Sequence, residues 1–181
     1  VITAVAGFLQ ARHRGGSWHL RIDDLDPPRA VPGAAAAILR TLERLGLEWD
    51  GEVVYQSQRT EAYRAALDQL EAQSLLYPCT CSRRSLAPGP YPGNCASRGG
   101  RPGLPSARRV RVGDTQVQLN DPLQGPQQWD LARLYGDFIV WRVDDLATYH
   151  LAAVVDDAAL RVTEIVRGAD LLDSAPLQIY L

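Results

Sequence analysis

The sequence predicts an α/β protein, a doubly wound sheet interrupted by a basic, cysteine-bearing stretch that is either a loop or a small subdomain. Three observations lead there. Segments with helical spacing alternate with short strand-like runs along the first 75 residues. From Tyr77 to Pro105 the texture changes to Pro, Gly, Ser and Arg with little periodicity. All three cysteines, Cys79, Cys81 and Cys95, fall inside that stretch.

Val1 to Arg14 has helical spacing through Ile2, Val5 and Leu9 and stops at Gly15 and Gly16. Trp18, Leu20 and Ile22 alternate with more polar residues, which predicts a short strand that Pro27 and Pro28 forbid from continuing. Gly33 to Leu45 predicts a second helix with Ile38, Leu42 and Leu45 on one face, closed by Gly46. Val53 to Tyr55 is strand-like. Ser57 is placed to cap a third helix running to about Gln73, with Tyr63, Leu67 and Leu70 inward. After the irregular stretch, Arg109 to Leu119, Phe138 to Val143, Tyr149 to Val155 and Val162 to Val166 all look like strands. Ser174, Ala175 and Pro176 then open a last helix. The expected division is 1–75 for the first half of the core, 76–147 for the insertion and 148–181 for the second half.

Composition narrows the chemistry. The chain contains no lysine, since all nineteen basic residues are arginine. A Walker P-loop, a lysine Schiff base and a lysine steadying a triphosphate are therefore excluded for these residues. The net charge of −2 hides an asymmetry: 72–113 holds seven arginines and no carboxylate, while the remainder carries twelve arginines against twenty-one acids, a net of −9. A basic segment on an acidic body suits a phosphate-bearing partner bound at one face, with a solvated loop as the alternative. No apolar run is long enough to span a bilayer, so the expected compartment is the cytoplasm, with no membrane partner. There is no methionine, even at position 1, so a segment of a longer product is expected.

Two constellations carry chemistry. Asp23, Asp24 and Asp26 arrive together at the end of the first strand, where α/β sheets build their ligand crevice. Such carboxylates can hold a cation, a metal or a substrate ammonium, or simply form a charged loop with one Asp capping the next helix. The cysteines are odd in number, which argues against a disulfide framework. A Cys-x-Cys pair with a third cysteine nearby, in a stretch with no core of its own, argues for one structural zinc. No histidine is close, which leaves the Tyr91 phenol as the fourth donor.

The matching stretches LRIDDLDPPR, VPGAAAAILRTLERLGLEWDG with YQSQR behind it, CTC…YPGNC, and ATYHLAAVVDDAALRVTEIVRGADLLDSAP occur in order over nearly the whole chain. Together they resemble the glutamyl-Q tRNA(Asp) synthetase family, short relatives of glutamyl-tRNA synthetase. RIDDLDPPR, VRGADLL and DSAP look like the shorter enzyme rather than the larger one.

The resemblance implies a Rossmann-type class I synthetase core with a zinc-binding insertion that meets RNA. It implies ATP-dependent activation of glutamate, with magnesium, and transfer of the glutamyl group to queuosine in the anticodon of tRNA(Asp). Carried over by position, Asp23 falls where the family has a glutamate for the substrate ammonium, so the carboxylate is one methylene shorter here. Tyr149 and Arg167 fall on residues that bind the substrate glutamate, and His150 stands where relatives often have asparagine. Cys79, Cys81, Tyr91 and Cys95 fall on zinc ligands. The charge asymmetry adds Arg98, Arg101, Arg108 and Arg109 as RNA contacts, and a monomer is expected. The HIGH-like motif is expected before Val1 and the KMSKS-like loop after Leu181. A truncated, non-catalytic RNA-binding module with zinc, or a fragment of a discriminating glutamyl-tRNA synthetase, are the competing readings.

Overall fold

A computed structural model describes residues 1–26 and 31–181, and all of their side chains except that of Arg83. Pro27 and Pro28, expected to stop the first strand, lie outside the described residues. The chain forms two compact units, one made of Val1–Thr60 with Asp157–Leu172 and the other of Glu61–Asp156 with Asp173–Leu181.

The first unit carries α1 (Ile2–His13), β1 (Arg21–Ile22), α2 (Ala34–Arg44) and β2 (Val54–Tyr55). β1 pairs with β2 in parallel, Arg21 opposite Val54 and Ile22 opposite Tyr55, with α2 as the crossover. This is the α/β alternation the sequence predicts, reduced to two short parallel strands. α1 ends where Gly15 takes a left-handed φ of 64°, a conformation that glycine adopts without a Cβ penalty. Arg12 in its last turn donates to Asp50 (2.6 Å) and to the Glu48 carbonyl (2.7 Å), fixing the helix end to the loop before β2. Trp18 lies edge-on to Phe8, and Gly7 leaves the room it needs. Only one position of the expected α2 face is deeply buried: Leu42 is, while Ile38 and Leu45 are about half exposed.

Two expectations in this unit are corrected. Ser57 does not cap the third helix. It sits in a short 3-10 turn, Gln56–Gln58, where its N–H (2.8 Å) and hydroxyl (2.7 Å) both donate to the Asp24 carboxylate. A charged acceptor draws the hydroxyl more strongly than a helix N–H does. Val162 to Val166 has strand-like alternation but forms no strand, since no described residue pairs with it and Ile165 is exposed. Alternation marks a face, and only a ladder partner makes it a strand.

The second unit holds α3 (Thr60–Ala72) and an antiparallel sheet in the order β3 (Leu76–Cys79), β4 (Ala107–Val110), β7 (Phe138–Trp141). Between β4 and β7 come a hairpin, β5 (Gln116–Asp121) with β6 (Gly125–Asp130), and the short helix α4 (Leu131–Leu134). α5 (Tyr149–Ala159) and α6 (Ala175–Tyr180) follow. Val110, Leu131 and Val140 are fully buried, each contributing about 1.5–3 kcal/mol over an exposed position. Tyr63 of α3 is buried and its hydroxyl donates to the buried Asp156 at 2.9 Å.

Here the corrections are larger. Tyr149 to Val155 is a helix, not a strand. An unbroken apolar run fits either state, and the alanine-rich stretch continues to eleven residues, too long for a typical strand. Tyr77 to Cys79, expected to be irregular, belongs to β3, and Arg109 to Leu119 divides at Gly113 (φ 53°) between β4 and β5. β6 went unpredicted because Gln and Pro dominate it; the signal was the turn before it, where Asp121 accepts from the N–H groups of Leu123 and Gln124. No described helix is long and apolar enough to cross a membrane.

Candidate metal centre and substrate residues

β3 delivers the first thiol. Its side chains alternate in burial, so Tyr77 and Cys79 face inward. Cys81 follows two residues later, and the chain returns with Tyr91 and Cys95. The three sulfurs lie within 4.8 Å of one another, with Cys81 and Cys95 3.6 Å apart. The Tyr91 hydroxyl stands 3.5 Å from the Cys79 sulfur and 3.7 Å from that of Cys81, and it accepts from the Cys95 backbone N–H at 2.9 Å. Cys79, Tyr91 and Cys95 are buried, and Leu86 and Ala96 pack against them.

The electrostatics of these donors are uneven. Burial pushes the Cys95 thiol up, but the Thr80 N–H, the Tyr91 hydroxyl and the neighbouring thiols outweigh it and bring it down to about 7. Burial pushes Cys81 up, and burial with the Cys79 thiol pushes the Tyr91 hydroxyl up.

Tyr91 is seated by its backbone. Its N–H donates to the Tyr135 carbonyl at 2.9 Å, and Gly136 passes directly against it. Arg109, 7% exposed, lies with its guanidinium carbon 3.6 Å from the Tyr91 ring centroid. Its Nε–H donates to the Cys79 sulfur at 3.2 Å. Arg98 and Arg101 are exposed and Arg108 is half-buried, so of the four arginines singled out in the sequence Arg109 is the one held inside. Gly136 and the inward course of Arg109 escape a reading of the sequence. YGD was the one local hint, a glycine in a turn.

The acidic turn after β1 is largely satisfied by the chain itself. Arg21 donates from Nε to Asp23 (2.7 Å) and from Nη1 to Asp157 (2.6 Å). Burial works against the Arg21 charge, and these two carboxylates outweigh it and raise its pKa. Asp24 is taken by Ser57, and Asp23 remains exposed. Arg167, half-buried, and Asp23 belong to the first unit, and Tyr149 to the second. Tyr149 begins α5, is 38% exposed, and lines a cavity of about 410 Å³ with Tyr91, Tyr135, Phe138 and His150.

The family described as tRNA synthetases class I (E and Q), catalytic domain, matches residues 2–88 and 96–181. The chain belongs to this family. The interval left unmatched, 89–95, contains Tyr91 and Cys95. Among curated relatives, the glutamyl-Q tRNA(Asp) synthetase of Thiobacillus denitrificans is 52% identical over 191 residues, covering 100% of this chain and 63% of its own length. That of Methylococcus capsulatus is 53% identical over 182 residues, covering 99% and 60%. The chain thus spans about three-fifths of the length of these relatives. A crystal structure of a glutamate tRNA ligase from Elizabethkingia meningosepticum, in complex with its amino acid, superposes with a TM-score of 0.86 at 25% identity, covering 98% of this chain and 42% of that one. A second, from Elizabethkingia anophelis, gives 0.85. The class I synthetase frame of the chain is the α/β fold of these ligases.

Proposed function

We propose that the chain forms the greater part of a glutamyl-Q tRNA(Asp) synthetase, which activates glutamate with ATP and magnesium and passes the glutamyl group to queuosine in the anticodon of tRNA(Asp). The single observation that carries this is the identity of 52% over the whole chain to proteins of that name. The frame shared with a glutamate tRNA ligase supports the choice of amino acid. On this reading 76–147 is an insertion between two halves of the core, 1–75 and 148–181, and the enzyme works as a cytoplasmic monomer.

Glutamate presents one ammonium and two carboxylates, so its site requires an acid and a forked cation. Asp23 is assigned to the ammonium. Arg21 fixes one of its oxygens, which orients the other. Arg167 and Tyr149 are assigned to the carboxylates, Arg167 as the bidentate cation and Tyr149 as the hydroxyl donor. Class I activation works by positioning and by stabilising charge, and these residues hold the amino acid while it reacts.

The thiol cluster fits one zinc. Sulfur ligands about 2.3 Å from a tetrahedral zinc lie about 3.8 Å apart, and Cys81 and Cys95 already stand 3.6 Å apart. Cys79, Cys81, Cys95 and Tyr91 would hold it. Four protein donors close the site, so the metal would supply a cross-link rather than a reactive position. Arg98, Arg101 and Arg108 are assigned to RNA phosphates on the same segment.

ATP–pyrophosphate exchange with glutamate tests the reading, on a polypeptide that carries this chain together with the HIGH-like and KMSKS-like motifs. Exchange, followed by glutamyl transfer to queuosine-bearing tRNA(Asp), is the expected result. RNA binding without exchange would favour the non-catalytic module, and charging of tRNA(Glu) the larger synthetase.

A further inference from the structure

Arg109 is the cation that the structure sets on a sulfur of the cluster. In the β3–β4 ladder Tyr77 faces Arg109 and Cys79 faces Ala107. Residues two apart share a face, so Arg109 and Cys79 are diagonal neighbours on the buried side of the sheet. The other edge of β4 departs from regular pairing: Arg108 is opposite Trp141 but Arg109 is opposite Ile139, leaving Val140 as the extra residue. The bulge therefore lies in β7, and along β4 Ala107, Arg109 and Val110 are buried while Arg108 is not.

A guanidinium on an inner face is costly unless its donors and charge are met. Two of the Arg109 donors are met, by the Cys79 sulfur (3.2 Å) and by the Asp137 carbonyl (2.5 Å). Its charge rests on the Tyr91 ring. Both contacts other than Asp137 are to proposed metal donors. Three thiolates around a zinc leave a net charge of −1 with a neutral phenol, and −2 with a phenolate. Among the described residues no carboxylate forms an ion pair with Arg109, and such a centre would supply its anion.

Resting on the zinc reading above, we propose that Arg109 is the positioning residue of the metal centre: it balances the centre's negative charge, orients the Cys79 sulfur through Nε–H, and clamps the Tyr91 ring so that its hydroxyl meets the metal. Arg108, one residue earlier and half-buried, belongs to the outer face and to RNA.

Cobalt(II) bound to the full chain provides the test, since its sulfur-to-metal charge-transfer band reports the electron density on the thiolates. Affinity is read by chelator competition. Arg109→Met, similar in length and uncharged, is expected to weaken binding by about 10–100-fold and to move the band to lower energy, because a hydrogen bond to sulfur is gone. Arg109→Lys keeps the charge and is expected to recover most of the affinity. It loses the planar stack and the Nε–H geometry, so its band also moves from the wild-type position. Should Arg109→Met fail to fold, as circular dichroism would show, the Lys variant carries the test through its band. Equal losses in Met and Lys with unmoved bands would mean a packing role and overturn the proposal while leaving the metal reading intact. Wild-type affinity in both variants would do the same. No charge-transfer band in the wild-type chain would overturn the metal reading itself, and this inference with it.

Discussion

Gly136 and Tyr91 meet backbone to backbone: a Cβ on Gly136 would lie 2.8 Å from the Tyr91 nitrogen and closer still to its carbonyl oxygen. Gly136 also has a left-handed φ of 63°. Alanine there must both accept that conformation and push Tyr91 away, at a cost of about 1–3 kcal/mol. Gly136→Ala is therefore expected to lower the thermal midpoint and to loosen the proposed zinc, measured as faster loss of metal to a chelator. Unchanged retention would show that Tyr91 can move without leaving the metal.

Metal removal should act locally. β4 and β7 are joined by three residue pairs, and Val110 and Val140 are fully buried, whereas the chain from Cys81 to Pro105 has no regular element beyond one short turn. Hydrogen exchange after chelation is expected to quicken across 80–105 and to change little in β4 and β7. Uniform acceleration through the sheet would contradict this.

The thiol pKa values give the metal-free chain a stability maximum in pH. Cys95 is depressed from about 9 to about 7, so its contribution is full above 9 and is lost as pH falls through 7. Cys81 and Tyr91 are raised, so theirs is full at low pH and is lost as pH rises above their ordinary values near 9 and 10. Denaturant midpoints of the metal-free chain are expected to climb from pH 6 to 9 and to decline beyond. Cys95→Ala should abolish the climb.

Glutamate recognition is tested at Arg167 and Asp23. Arg167→Ala, in a polypeptide competent for exchange, is expected to cost about 2–5 kcal/mol of glutamate activation by leaving a substrate carboxylate unpaired. Asp23→Glu restores the reach that relatives have and is expected to be tolerated. Asp23→Asn removes the charge and should fail. Near-normal exchange in Arg167→Ala would remove that residue from the site.

Neutralising Arg98, Arg101 and Arg108 together is expected to leave pyrophosphate exchange intact and to impair glutamyl transfer, with a flatter salt dependence of RNA binding. Measuring both activities on one triple variant separates the outcomes. Equal loss of both would make the segment structural.

Legibility in the sequence followed the range of the interactions. α1, α2 and α3 could be read because helical spacing is a local signal, reinforced by Gly15 after α1 and Gly46 after α2. The thiol cluster was also legible, since Cys79, Cys81 and Cys95 lie close together in the chain, although Cys79 is held by β3. Ser57 was misread because its partner, Asp24, is 33 residues away. α5 was misread because burial on most sides erases the period that separates helix from strand. Nothing in the chain order shows that Arg109 rather than Arg108 turns inward, because that choice is set by the register with β3, where Arg109 lies opposite Tyr77. The two candidate sites differ for the same reason: the donors of one lie within 17 residues, while Asp23, Tyr149 and Arg167 span 145.

The pairing of Cys79 with Ala107 has a consequence for how this protein can change. Residues 80–106 leave the sheet and return to it at adjoining rungs, so topologically the whole excursion is one hairpin loop. Such a loop can lengthen, shrink or be exchanged for a tight turn without rethreading the sheet, and closure entropy grows only slowly with its length. Cys81, Cys95 and the exposed arginines therefore travel together, while Cys79 stays on the sheet at the root of the loop. On the function proposed above, exchanging this loop would alter the RNA contacts without rethreading the sheet.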